Sequence, residues 1–276
     1  MIELGNYNTL KILRGTRVGL FLGDDDVDDL LLPVKYSPKD FEIGDEIRVF
    51  CYLDHEERPI ATTLDPFIKR NDFGFLRVAE VNDYGAFMDW GLEKHLLVPF
   101  REQRTRMIPG EWYVVHCYLD EKSFRLAASA RLNKFLSKEI PEFRVNEEVP
   151  LLVSRKSDLG WDVIVNNQYK GLVFKSEVFR ELRVGDVLKG YIKKIRTDGK
   201  LDITLQPIGL VKLDPAAELI FNELNAQGGV LKIHDKSSPQ DIMAMFQMSK
   251  KTFKRAIGSL YKARKIEIKE DGIYKI

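Results

Sequence analysis

Apolar residues along this chain come in short runs closed by turn residues, most plainly between Phe73 and Ser129. Gly74 to Val81 is apolar and β-prone and stops at Asn82-Asp83. Tyr84 to Gly91 is a second run, closed by a glycine, and His95 to Phe100 is a third. Pro109-Gly110 opens a fourth, Trp112 to Leu119, and Asp120-Glu121-Lys122 separates it from a fifth, Ser123 to Ser129. Five short strands with turns between them predict a small closed barrel.

The same pattern occurs three times. Adding 66 to the numbering of the first segment reproduces the second: Gly19 becomes Gly85, Phe21 becomes Phe87, Pro33 becomes Pro99 and Gly44 becomes Gly110. Adding 75 reproduces the third, with Gly85 becoming Gly160, Pro99 becoming Phe174 and Gly110 becoming Gly185. One extra residue is then needed between Lys194 and Asp198. A repeat of this length lets each copy close its own barrel instead of stacking as a solenoid. Residues 130–143 form a connector in which Leu132, Phe135, Leu136 and Ile140 fall at helical spacing, predicting a short packed helix before Pro141.

Beyond the third copy the pattern turns helical. Asp214-Pro215 reads as a helix start with Asp214 as N-cap, and Gly228-Gly229 as its end. Val230 to His234 is a short strand, Ser238-Pro239 starts a second helix reaching Phe246, and Ser249 caps a third. On that helix Phe253, Ile257 and Leu260 lie at i, i+4 and i+7. Lys265 to Lys269, a Glu270-Asp271-Gly272 turn and Ile273 to Ile276 predict a terminal hairpin. This order reads as a winged helix. The fold class is therefore mostly β: three tandem five-stranded barrels at 1–65, 66–140 (with the connector) and 141–209, then a small α+β winged helix at 210–276.

Charge divides these units. Residues 1–66 carry 7 Lys+Arg against 14 Asp+Glu; 67–140 and 141–209 each carry 12 against 10; 210–276 carry 12 against 8. Affinity for polyphosphate is mostly electrostatic, so the last three units are better placed than the first to contact nucleic acid. Asp24, Asp26 and Asp28 have the spacing of a calcium loop, but Asp29 stands where glycine is needed and Lys35 where glutamate is needed, so a solvated barrel loop is expected. The two cysteines, Cys51 and Cys117, occupy equivalent inward positions and read as core thiols, which fits a reducing cytoplasm. No signal peptide or membrane span is visible, and no metal or cofactor is called for.

Candidate contacts to a ligand follow from side-chain type. Tyr84 and Phe87 flank the Gly85-Ala86 step, where Phe87 either stacks on a base or fills the core. Arg101 and Arg104 lie in a basic loop that is either solvated or on phosphate. Tyr118 shares a strand face with His116. His95 reads as an ordinary surface residue. In the third unit Lys193, Lys194, Arg196 and Lys200 make a basic edge beside Tyr191 and Trp161, the combination that single-stranded nucleic acid needs. Lys250, Lys251, Lys254 and Arg255, with Lys262 and Arg264, fall on the third helix, the usual groove reader of such folds, where they either contact nucleic acid or form a solvated or protein-binding face.

Two resemblances rest on these residues. Asp83 to Gly91, Leu96 to Pro99, Pro109 to Glu111 and Arg125 to Ser129 resemble an S1 domain, the RNA-binding version of the OB barrel. So do Gly171 to Glu177, Val184 to Ile195 and Arg196 to Leu205, except that Phe174, followed by Lys175, stands where the pattern has histidine and Leu159-Gly160-Trp161-Asp162 alters the second strand. Three such barrels and a winged helix resemble the conserved virulence factor B family over essentially the whole chain. What this implies is binding of single-stranded RNA, with mRNA or the ribosome as settings, and post-transcriptional regulation. A ribosome- or protein-docking scaffold, or an accessory subunit of an RNA-processing enzyme, is the other reading. No catalytic set is present in the sequence: His55-Glu56-Glu57-Arg58 lacks the second histidine of a zinc helix, and there is no phosphate-binding loop or nucleophile elbow.

Overall fold

The structure, a computed structural model, describes residues 2–24, 27–207 and 215–276 and divides into two compact units, Met1–Leu205 and Gln206–Ile276. The first unit holds three five-stranded barrels. Barrel 1 consists of β1 (Tyr7–Gly15), β2 (Gly19–Asp24), β3 (Val27–Pro33), β4 (Glu46–Leu53) and β5 (Pro59–Thr62). Barrel 2 has β6 (Phe73–Val81), β7 (Gly85–Asp89), β8 (Leu96–Pro99), β9 (Trp112–Asp120) and β10 (Arg125–Ser129). Barrel 3 has β11 (Glu148–Lys156), β12 (Gly160–Val165), β13 (Tyr169–Phe174), β14 (Val187–Ile195) and β15 (Leu201–Thr204). The closed order is β1-β2-β3-β5-β4 in the first barrel and β11-β12-β13-β15-β14 in the third.

The repeat is visible bond by bond. The first strand bulges between Ile12 and Arg14, between Val78 and Glu80, and between Val153 and Arg155. At each bulge the carbonyl of the first of those residues accepts a hydrogen bond of 2.8 Å from Gly44, Gly110 or Gly185. A bulge bends the strand enough to let a short sheet curl on itself. Gly19, Gly85 and Gly160 pair with Pro33, Pro99 and Phe174. A Cβ on any of the three would come within 2.0–2.3 Å of the carbonyl oxygen of Leu32, Val98 or Val173, so only glycine lets β2, β7 and β12 pass this close to the next strand. The extra residue expected in the third copy is not there: Tyr191–Thr204 matches His116–Ser129 at an offset of 75 on both strands, although the strand bulges at Lys193, between the pairs Ile192–Ile203 and Lys194–Asp202.

Two further expectations need correction. Barrel 2 keeps the strand order, β10-β9-β6-β7-β8, but its last seam carries no ladder. β8 has only four residues and ends at Pro99, so little edge is left for β10. Instead Ala130 donates to the carbonyl of Glu102 at 3.0 Å and the Ser129 hydroxyl donates to its carboxylate at 2.6 Å. The connector is not an α-helix: it is a single 3-10 turn, Leu132–Lys134, with Ile140 64% exposed. Leu132, Phe135 and Leu136 still pack, against Phe73, Val114 and Ile164, and so join barrels 2 and 3. Barrels 1 and 2 are joined likewise: Phe50 and Tyr52 share a core with Trp90, at ring distances of 5.8 and 6.5 Å.

The second unit has α1 (Pro215–Ala226), β16 (Val230–Leu231), α2 (Pro239–Phe246), α3 (Lys250–Lys262), β17 (Ile266–Lys269) and β18 (Gly272–Lys275), with sheet order β16-β18-β17. Ser238 caps α2 by accepting from the Asp241 amide, and Ser249 caps α3 by accepting from the Thr252 amide. Phe253, Ala256, Ile257 and Leu260 form the buried stripe of α3. The strand expected to reach His234 stops at Leu231, and Arg264 lies past the end of α3. The Asp214 cap, and Asp25 and Asp26 of the acidic loop, lie outside the described residues.

Candidate nucleic-acid interface

Three concave surfaces bring the predicted residues together or leave them apart. On barrel 2 the alternation along β7 buries Ala86 and Met88 and turns Phe87 outward, half exposed and outside the core cluster. Phe87 is in register with Leu97 of β8. Tyr84, 75% exposed, stands at the start of this face, its amide bonded to Asn82 Oδ1 at 2.9 Å. With His95, Leu97 and Pro99 these rings line a groove of about 400 Å³ whose far wall is Tyr52 and Leu53 of barrel 1. His95, read from the sequence as an ordinary surface residue, lines the groove from the barrel 2 side. Two cations stand at the rim, and both are held by Glu57 of barrel 1: Lys94 Nζ at 3.2 Å and Arg125 Nε at 3.0 Å. Lys94 also donates to the Asp54 carbonyl at 2.6 Å. Glu57 sits at φ 64°, a left-handed conformation fixed by the tight β4–β5 turn.

Tyr118 is not on this groove. Its ring lies 5.2 Å from Phe135 and that of His116 4.2 Å from Phe135, so the connector covers the face they share. Burial among Phe73, Phe135 and the sheet pushes the His116 imidazole down to about 4, and its Nδ1 has no hydrogen-bond partner. Arg101 is exposed and 3.5 Å from Asp120. Burial likewise pushes the Cys51 and Cys117 thiols up to about 12, which keeps both protonated core groups.

On barrel 3 the corresponding face carries Leu159, Asp162 and Leu172, with Arg155, Lys170, Arg196 and Lys200 around it. The basic edge expected here is largely neutralised. Lys193 pairs with Glu177, Arg196 with Asp202 at 2.6 Å, and Lys200 with Asp198 at 2.6 Å. The Lys193 hydrogen bond holds the Glu177 carboxyl below its ordinary range. Lys194 is exposed and has no ion pair among the described residues. Arg196 lies 5.9 Å from the centre of the half-buried Phe174 ring, and Lys175 beside it is exposed. Trp161 packs on the barrel 3 core under Lys156 rather than on the groove, and the Tyr191 hydroxyl donates to Glu148 at 3.0 Å. Arg104 is brought to neither face but to a cleft at the joint of barrels 2 and 3.

In the second unit Lys251, Lys254 and Arg255 are exposed on α3, and the helix carries no acidic residue. Lys250 is half buried, its ammonium 3.4 Å from the Lys236 carbonyl. Period-two reading finds the Phe87 face. It does not find Lys94, Arg125 or Arg131, which line a groove where neighbouring barrels pack together, nor Arg155 and Lys170, which also line the barrel 3 face itself.

Tandem five-stranded barrels followed by a winged helix define a multidomain protein of the S1 and winged-helix class. The S1 domain model matches residues 4–64, and the CvfB-like winged helix domain model matches residues 218–274. The chain is 31% identical over 273 residues to the uncharacterized protein YitL of Bacillus subtilis (strain 168), covering 95% of this chain and 90% of that one. It is 31% identical to conserved virulence factor B of Staphylococcus epidermidis (strain ATCC 12228), covering 83% of this chain and 79% of that one. It is 30% identical to conserved virulence factor B of Staphylococcus aureus (strain USA300) over the same shares. A crystal structure of a multidomain protein with nucleic acid binding domains from Streptococcus pneumoniae TIGR4 aligns with 27% identity and a TM-score of 0.47, over 99% of this chain and 98% of that one. The chain belongs to the conserved virulence factor B family. The matched domain families are binding modules, not enzymes. Among the described residues no helix is long and apolar enough to cross a membrane.

Proposed function

We propose that this chain is a single-stranded RNA-binding protein that acts in the cytoplasm in post-transcriptional regulation. The observation that carries the reading is the barrel 2 groove. It offers two exposed or half-exposed rings, Tyr84 and Phe87, at the start and middle of an S1-type strand, beside the apolar Leu53, Leu97 and Pro99. Base–aromatic stacking contributes ~1–3 kcal/mol per base and needs a strand whose bases are free, which a duplex does not offer. Barrel 3, through Lys194, Arg196 and the cations around them, and α3, through Lys251, Lys254 and Arg255, supply phosphate contacts. Titration of the full chain with single-stranded and duplex RNA of matched length and salt tests this. The expected result is tighter binding of the single strand; equal or tighter duplex binding contradicts it.

A further inference from the structure

The joint of barrels 2 and 3 holds a cleft of about 300 Å³ that adjoins the barrel 3 face. Its walls come from three parts of the chain: Arg104 after β8, Arg131 and Lys134 in the connector, and Arg155 and Lys170 on β11 and β13. Asp162 is the one carboxylate among the lining residues. It holds Arg155 at 2.5 Å, and Glu102 behind the wall holds Lys134 at 2.8 Å. The other three cations keep capacity. Arg131 donates Nε to the Arg101 carbonyl at 2.8 Å, which fixes the guanidinium and leaves its outer nitrogens for a ligand. Among the described residues Lys170 reaches only Asn133 Oδ1, at 3.4 Å. The Arg104 side chain makes no hydrogen bond or ion pair among the described residues.

The lining also says what kind of ligand fits. Its apolar part is aliphatic, Leu132, Leu136, Val163 and Ile164, with no ring to stack on a base. With cations and no ring to stack on, such a surface suits phosphate better than a base. The cleft shares Arg155, Asp162 and Lys170 with the barrel 3 face, where Arg196 and Lys200 continue the line of cations. Arg104, Arg131 and Lys170, spread over an open surface that runs on to the ion-paired Arg196 and Lys200, suit a phosphodiester backbone better than a small phosphorylated molecule, which needs contacts on its other groups.

We infer that this cleft is a phosphate-only subsite, through which the backbone of a bound single strand crosses from the barrel 2–barrel 3 joint onto barrel 3. The inference rests on the RNA-binding reading above. It makes the joint, and not only the barrel faces, part of the binding surface, and its contribution is independent of base sequence.

The test uses the full chain with Arg104→Ala and Arg131→Ala combined, two cations of the cleft that line neither barrel face. Oligo-U and oligo-A of ~4 nucleotides occupy no more than one barrel, whereas ~12 nucleotides span the joint. The expected result with the longer strands is a log–log salt slope smaller by up to ~1.4, about 0.7 for each phosphate no longer neutralised, and the same for both bases. With the short strands affinity stays unchanged. Should the alanine pair melt early, Arg104→Gln with Arg131→Gln gives the same reading. An unchanged slope for the long strands, while the unsubstituted chain binds them, overturns the subsite and leaves the RNA reading standing. Equal weakening for short and long strands also overturns it. Absence of RNA binding by the unsubstituted chain overturns both.

Discussion

His116 shows how one side chain can be placed by a repeat and still depart from it. Its equivalents 66 residues earlier and 75 later are Phe50 and Tyr191, so the position takes an aromatic ring in every barrel. In barrel 2 the ring is a buried imidazole between Phe73 and Phe135, and burial holds it neutral down to about pH 4. Its folded value lies below the ordinary 6.5, so its contribution to stability is complete above about pH 6.5 and is lost as pH falls toward 4. That shift corresponds to a pH-dependent loss on the order of 3 kcal/mol. His116→Phe, which restores the residue of barrel 1, is expected to remove that part of the acid sensitivity, measured as the difference between the two proteins in urea unfolding at pH 7 and pH 4.5. Parallel losses in both proteins would show that other groups govern the window. The lysine pair of barrel 3 divides in the same residue-specific way. Lys193 is engaged with Glu177 and Lys194 is not, so Lys194→Ala should lower the salt slope of RNA binding by about 0.7 and Lys193→Ala by less. Equal slopes for the two variants would contradict the pairing.

At the scale of elements, much of the fold is legible in the sequence because each barrel obeys its own local rules. Glycine marks the close strand crossing, a second glycine meets the first-strand bulge, and alternation decides which side of β7 faces out. The connector misleads for a physical reason. Leu132, Phe135 and Leu136 have helical spacing, but their partners lie in the two flanking barrels, and a single 3-10 turn satisfies all three. Tyr118 misleads for the same reason: nothing in its strand pattern says that Phe135 will lie on it. The turn between β4 and β5 is the least legible element. It brings the Glu57 carboxylate of an acidic barrel onto Lys94 and Arg125 of its neighbour, two cations that the proposed RNA binding would use for phosphate. Glu57→Gln should therefore strengthen RNA binding several-fold and steepen its salt dependence, since two cations are released for phosphate. Both are partly exposed, so removing these ion pairs should change stability by no more than about 1 kcal/mol. Weaker binding with an unchanged melting temperature would show that Glu57 positions the rim rather than masking it.

At the scale of the whole molecule, the charge gradient read from the sequence is real, but ion pairing redistributes it. The Lys193 to Lys200 edge is mostly paired, and other cations gather at the joint of barrels 2 and 3 and on α3. Cutting the chain at residue 141 would separate barrel 3 from Phe73, Val114 and Phe135 and expose a shared core, so dividing the work among units is a task for substitutions in the full chain. RNA binding of the kind proposed depends first on the barrel 2 groove as a base-stacking surface. Phe87 lies outside the core and Tyr84 is exposed, so Tyr84→Ala with Phe87→Ala should leave the melting temperature nearly unchanged. The decisive measurement is a titration of this double variant and the unsubstituted chain with single-stranded RNA at two or more salt concentrations. The predicted result is a loss of ~2 kcal/mol or more in affinity, with the salt slope preserved because stacking releases no counterions. Unchanged affinity, in a protein that melts normally, would contradict the base-stacking role of this groove.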